Sequence, residues 1–146
     1  MKKRFVLSAL ASAVTVLILN GVIYALFYGD FLKNNSGLSV ELFEKVQRPV
    51  DQTNIPATIL SMLVIGCLIT TVVHWVKAKT FINGLKFGFI FAVLMVGSVN
   101  LGLLATTYYY STKSGIIDIF VGAATIAIGG GVAALIMGGG TKPAKA

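Results

Sequence analysis

The segment Gly84–Tyr110 constrains the fold more than any other part of this chain. From Phe87 to Tyr110 it carries no charged residue over 24 positions. At about 1.5 Å per residue, a helix of that length spans more than the ~30 Å hydrocarbon core of a bilayer. The segment therefore predicts a membrane-spanning helix.

Three further apolar segments reach spanning length, at about residues 5–27, 56–76 and 115–137. Charged residues make up 12% of the chain and the mean hydropathy is +0.87, whereas soluble domains carry about 25% charged residues. The sequence predicts an all-α membrane protein, a four-transmembrane-helix bundle forming one domain over residues 1–146. We predict that the third helix covers residues 84–110 and that residues 139–146 form a disordered tail.

The connection between the first two spans, residues 28–55, is the one long polar segment. Within it, residues 39–48 favour a short helix with Ser39 as its N-cap. Its apolar residues share one face, which predicts an amphipathic helix on the membrane surface or capping the bundle. These residues are Leu42, Phe43 and Val46.

The distribution of charge predicts the orientation of the bundle. With both termini on one side, that side holds eight Lys and Arg residues, and the other side holds four together with all five acids. The positive-inside rule then places both termini in the cytoplasm, with residues 28–55 outside. Because the basic residues are scattered singly at helix ends, they form no nucleic-acid-binding stripe.

Asn20 and Asn100 each lie just past the middle of a predicted span, toward the outer side. A bare amide in hydrocarbon costs several kcal/mol, so each must face protein or water. They can form an interhelical hydrogen bond, worth about 0.6–2 kcal/mol, or line a polar pocket that binds a small ligand or ion. The sequence leaves both interpretations open.

Asp118 is the one acid inside a predicted span, one turn from its start. It can stabilise the positive end of the helix dipole, or form a functional site, as acids within membranes often do. Tyr24 can be part of an aromatic belt at the membrane interface. Alternatively, because Tyr24 lies four residues after Asn20, the two side chains share one face of the helix. The most specific hypothesis is a ligand or ion site, open to the outside, formed by Asn20, Tyr24, Asn100 and Asp118.

Small residues at helical spacing predict close helix packing, within the bundle or in a homodimer. We assign this role to Gly84, Gly88, Ala123, Ala127, Gly131, Ala134 and Gly138. We predict no catalytic residues, metal site or cofactor, because the chain lacks a nucleophile with a base, a second histidine or a Cys-x-x-Cys pair.

The second half resembles a family of small bacterial four-helix inner-membrane proteins of unknown function. The resemblance covers residues 84–138 and rests on Gly84-Leu85-Lys86, Gly88, Asn100, Ala105-Thr106 and Asp118. It implies a multi-pass protein of the bacterial inner membrane and attaches no activity to it.

Three classes of function follow from these observations. We expect a non-enzymatic accessory or interaction subunit of a membrane assembly, in contact with the lipid bilayer and with other membrane proteins or a second copy. The alternative is a small transporter or channel, as a monomer or dimer, with a polar site around Asn20, Asn100 and Asp118. An enzyme ranks third, since the chain lacks a base, a metal set and a redox pair.

Overall fold

The computed structural model describes residues 2–139, and every regular element within them is a helix. Four helices are long and apolar enough to cross a membrane: α1 (Lys2–Asn35), α3 (Ile55–Trp75), α4 (Phe81–Thr106) and α5 (Thr112–Gly138). The short helix α2 (Val40–Val46) and a single 3-10 turn (Val50–Gln52) lie between α1 and α3. The predicted fold class is confirmed. The predicted disordered tail lies outside the described residues from position 140 onward.

The first helix does not end near residue 27, as predicted, but continues to Asn35. A π-helical turn at Tyr24–Tyr28 joins its two α-helical parts. No proline interrupts this region, and the Asn34 and Asn35 side chains donate to carbonyls four residues earlier, each at 2.9 Å. Polar residues lower the hydropathy here without breaking the helix, so the connection to α3 is shorter than predicted.

The other helix ends lie within a few residues of their predicted positions, except that α4 stops at Thr106 and leaves Tyr108–Tyr110 in a loop. Asn54 caps α3 by accepting from the Ala57 amide at 3.1 Å. Ser111 and Ser114 form a reciprocal capping box that starts α5 three residues earlier than predicted. Gly139, at φ 68°, ends α5 in the left-handed conformation.

Helix α5 is the centre of the bundle and packs against α1, α3 and α4, most extensively against α4. Glycines permit this contact. A Cβ on Gly84 would lie 2.5 Å from Ala134 Cβ, and a Cβ on Gly131 would lie 2.5 Å from the Phe81 ring. The two helices therefore approach backbone to backbone, as small residues allow in membranes.

All seven residues assigned to helix packing lie at contacts within this one chain. Ala123, Ala127 and Ala134 on α5 are buried, as are Gly84 and Gly88 on α4 and Gly131 on α5. Gly138 packs directly against the backbone of Lys79.

The bundle has two ends, which we name by what they carry. The terminal end holds Lys2, Trp75, Phe81 and Gly138. The loop end holds α2, the last turns of α1 and the α4–α5 loop.

At the loop end, buried Tyr28, Leu32 and Phe43 form a second small core. Ser39 caps α2 as predicted, accepting from the Leu42 amide at 3.4 Å. The predicted apolar face of α2 does not pack as a unit, since Phe43 is 4% exposed but Leu42 and Val46 are more than half exposed. Of these three apolar residues only Phe43 is buried, and it stacks on Tyr109 with ring centroids 5.9 Å apart.

Candidate functional site

The Asp118 carboxylate is the centre of a hydrogen-bonded cluster at the loop end. Its Oδ1 accepts from the hydroxyl of Tyr28 on α1. Its Oδ2 accepts from Asn100 Nδ2 on α4 at 2.6 Å and from the Tyr110 hydroxyl at 3.3 Å. One carboxylate therefore joins α1, α4, α5 and the α4–α5 loop.

Asn100 is buried beside Asp118 and requires hydrogen-bond partners there. Its side chain is only 4% exposed, and an unpaired buried amide is costly. Besides Asp118, its Nδ2 lies 3.4 Å from the Gly115 carbonyl oxygen. Both neighbours are acceptors, so the amide nitrogen, not the oxygen, faces them.

Asp118 lies deeper in its helix than the sequence suggested. Because α5 starts at Thr112, Asp118 is six residues along it, about 9 Å from the helix start. The helix dipole acts mainly within the first turn. The interaction that matters for this carboxylate is therefore with the side chains around it.

No basic side chain within residues 2–139 lies at salt-bridge distance from Asp118. The ion pairs of this part of the chain are Lys33–Glu44 at 2.5 Å and Lys45–Glu41 at 2.6 Å, both at the loop end. The donors to Asp118 are two phenols and an amide, all neutral groups. They orient the carboxylate without neutralising it.

Burial changes the pKa of Tyr110, the tyrosine of the cluster that lies in the α4–α5 loop. Tyr110 lies outside the spanning helices, and its pKa is raised well above the usual value, first by burial and then by the negative charge of Asp118. A raised pKa keeps the phenol protonated at neutral pH, so Tyr110 remains a hydrogen-bond donor.

Asp118 lines a cleft of about 1200 Å³ in the loop-end half of the bundle. Helices α3 and α4 pack directly against each other over only a small area, which leaves room between them. The wall is mostly apolar and includes Met62 and Ile65 of α3 and Met95 of α4. Phe43 of α2 and Gln47, the residue that follows this helix, also line the cleft.

Three of the four predicted site residues, Asn20, Tyr24 and Asp118, line this cleft, and Asn100 does not. Asn100 bonds to Asp118, while Asn20 and Tyr24 lie on the α1 wall. Among the described residues, no hydrogen bond joins Asn20 to Asn100, and Tyr24 instead accepts one from the Gln47 amide. The proposed bond between the two asparagines is thus replaced by the Asn100–Asp118 pair.

Sequence reasoning did not identify two members of the cluster, Tyr28 and Tyr110. Tyr28 lies four residues after Tyr24 and eight after Asn20, so a longer first helix would have placed all three on one side. Nothing in the local sequence points to Tyr110, because its contact with Asp118 depends on the course of the loop.

The bundle beyond the cleft is closed. The cleft reaches Val16 and Thr125, and past them the helices pack tightly, since a Cβ on Gly66 would lie 2.9 Å from Ala13 Cβ. Buried Ser8 bonds to Thr70 at 3.2 Å and to the Ala133 carbonyl at 3.1 Å. Over the part of the chain that the structure describes, the cleft therefore does not continue to the terminal end.

The remaining chemically reactive side chains lie away from the cleft. His74 and Cys67 are exposed on α3. Within residues 2–139, no three His, Cys, Asp or Glu side chains are grouped closely enough to hold a metal ion.

Comparison of the chain with protein-family models, with curated proteins and with solved structures gave no match.

Proposed function

We propose that this protein is a small carrier that takes an apolar organic cation into its loop-end cleft. The observation that carries the proposal is the Asp118 carboxylate, held by three neutral donors on the wall of a 1200 Å³ cleft. We further propose that the protein lies in a bacterial inner membrane with both termini in the cytoplasm, supported by the eight basic residues on that side against four on the other.

The charge of the cluster supports a cationic ligand. A carboxylate within an apolar bundle is expensive unless it is paired, and Asp118 has no basic partner among the described residues. Tyr24 and Tyr28 also line the cleft, and aromatic rings attract a cation over their faces. A bound ammonium or phosphonium group would supply the missing positive charge.

The shape of the cleft supports an apolar body on that cation. Its volume of about 1200 Å³ exceeds what a metal ion needs and lies just above the range of about 300–1,000 Å³ for small-molecule sites. Its deeper wall is built by side chains such as Met62, Ile65 and Met95. Methionine is unbranched and flexible, and it adapts to ligands of varied shape.

The packing beyond the cleft supports a carrier more than a channel or an accessory subunit. Tight contacts at Gly66 and Gly84 leave no room for a continuous pore. The small residues assigned to helix packing, which were one argument for an interaction subunit, are occupied by contacts within the chain.

Two ions of matched shape and opposite charge test the proposal: tetraphenylphosphonium and tetraphenylborate. Binding is measured by equilibrium dialysis with the full chain in nanodiscs, and binding to empty nanodiscs is subtracted. We expect the cation to bind and the anion not to bind. Asp118→Asn should weaken cation binding about 10- to 100-fold, because two opposite unit charges about 6–10 Å apart, at an effective dielectric constant of about 20, attract each other by about 1.7–2.8 kcal/mol.

Asp51→Asn is the matched control, since it removes the same charge from an exposed position that does not line the cleft. It should leave binding of the cation unchanged. Equal binding of the cation and the anion would refute the role of Asp118, as would an equal loss of cation binding in Asp118→Asn and Asp51→Asn. Counterflow of labelled tetraethylammonium in proteoliposomes then separates carriage from binding alone.

A further inference from the structure

A second concave site lies at the terminal end, remote from the Asp118 cleft. It is a groove of about 450 Å³ between α1, α3 and α5, with an apolar wall. Its lining residues are Lys2, Phe5, Val6, His74 and Met137. Nothing in the carrier proposal uses this groove.

The charge around the groove is of one sign. All five acids of the chain lie in the other half of the bundle, from Asp30 to Asp118 in sequence. The described basic residues at the terminal end are Lys2, Lys3, Arg4, Lys77, Lys79 and Lys86. The Arg4 guanidinium lies against Gly139, at the C-terminus of α5, where the helix dipole favours a cation. Lys2 and His74 instead border the groove with their apolar atoms, and their nitrogens lie outside its apolar wall.

Trp75 indicates the level of the groove in a membrane. It follows His74 directly and is 75% exposed, and tryptophan is enriched where headgroups meet acyl chains. The groove therefore extends from headgroup level, at Lys2 and His74, into apolar surface formed by Phe5, Val6 and Met137. Basic pockets between helices at this depth are typical sites for anionic lipid headgroups.

We propose that the groove binds one anionic phospholipid. Its phosphate accepts hydrogen bonds from the Lys2 ammonium and from a ring N–H of His74. One acyl chain lies along Phe5, Val6 and Met137. A free phosphate would leave the apolar wall uncovered, and a zwitterionic lipid would leave the positive charge uncompensated.

Orientation by the positive-inside rule explains basic residues at this end without any bound lipid. That explanation requires only positive charge at the terminal end, so it predicts the same effect whichever basic residue is removed. The lipid site requires charge at the groove itself, so the two explanations differ when single positions are changed.

Native mass spectrometry of the full chain distinguishes them. The protein in detergent is offered equal amounts of dioleoyl phosphatidylglycerol and dioleoyl phosphatidylcholine, and dihexanoyl phosphatidylglycerol tests the acyl contact. We expect preferential binding of one dioleoyl phosphatidylglycerol and weaker binding of the short-chain form. Lys2→Gln should lower the preference about fivefold, the effect of one basic residue near an anionic surface, and adding His74→Gln should lower it further.

Two controls accompany these variants. Lys2→Arg keeps the charge and should keep the preference for phosphatidylglycerol. That result would show that the lower preference of Lys2→Gln is not caused by misfolding. Lys45→Gln removes an exposed charge at the loop end and should have no effect. Absence of a preference for phosphatidylglycerol would overturn the proposal, as would a preference that survives Lys2→Gln with His74→Gln. Equal binding of short- and long-chain forms would overturn the acyl contact.

Discussion

Replacing Gly84 with alanine tests the central packing of the bundle. A Cβ at this position would lie 2.5 Å from Ala134 Cβ and 2.8 Å from the Gly130 carbonyl carbon. Neither atom belongs to a flexible side chain, so neither can rotate away. Helix α4 must move away from α5 to admit the methyl group.

The magnitude of the change follows from two opposing effects. Overpacking of a close contact costs about 1–3 kcal/mol, and the higher value applies where the obstacle is backbone. Alanine favours a helix over glycine by about 0.5–1 kcal/mol. We therefore expect Gly84→Ala to lower the free energy of unfolding by about 2 kcal/mol.

Gly102→Ala is the matched control in the same helix. A Cβ on Gly102 meets no atom within 4 Å, so only the helix preference remains and stability should rise by about 0.5–1 kcal/mol. Unfolding of both variants by SDS in mixed micelles, followed by circular dichroism, measures the difference. Gly84→Ala with wild-type stability would refute the inferred backbone contact, and equal losses in both variants would show that it is not specific.

Two further predictions concern the Asp118 cluster. Tyr28→Phe removes the phenol donor to Asp118 Oδ1 and should lower the free energy of unfolding by about 1.5–3 kcal/mol; unchanged stability in the same SDS assay would contradict that bond. The folded-state pKa of Tyr110 is raised by burial and by Asp118. Stability present below the unfolded-state pKa of about 10 should therefore decline as the pH rises above it, since the unfolded chain then loses a proton that the folded chain retains. Tyr110→Phe should flatten this decline between pH 9 and 11, and parallel curves for the two proteins would rule out the raised pKa.

The four spans were predictable because they depend on local sequence. In lipid, each backbone polar group must be satisfied within its own helix, so a long apolar segment is sufficient evidence for a span. The cap at Ser39 was predictable for the same reason, since its bond reaches only to Leu42. Hydropathy did not predict where α1 ends, because polar residues continue the helix to Asn35.

Asn100 and Asp118 were also identified from sequence, because polar groups in apolar segments need partners. Which partners they take was not predictable. The sequence left open whether Asn100 bonds to Asn20 or lines a polar pocket, and in the structure α1 and α4 are separated by α5 and have no direct packing. The rotation of each helix about its axis decided that Asn100 meets Asp118.

The sequence alone determined that this chain has four segments long and apolar enough to cross a membrane and one acid within them, because length, apolarity and charge are properties of single segments. Only the tertiary structure decided that this acid faces a cleft beside Tyr28 and Tyr110, and that the opposite end of the bundle is closed. Those features come from contacts between helices distant in sequence. The close approach of α4 to α5 at Gly84, and the wider separation of α3 from α4, depend on the packing of all four helices together.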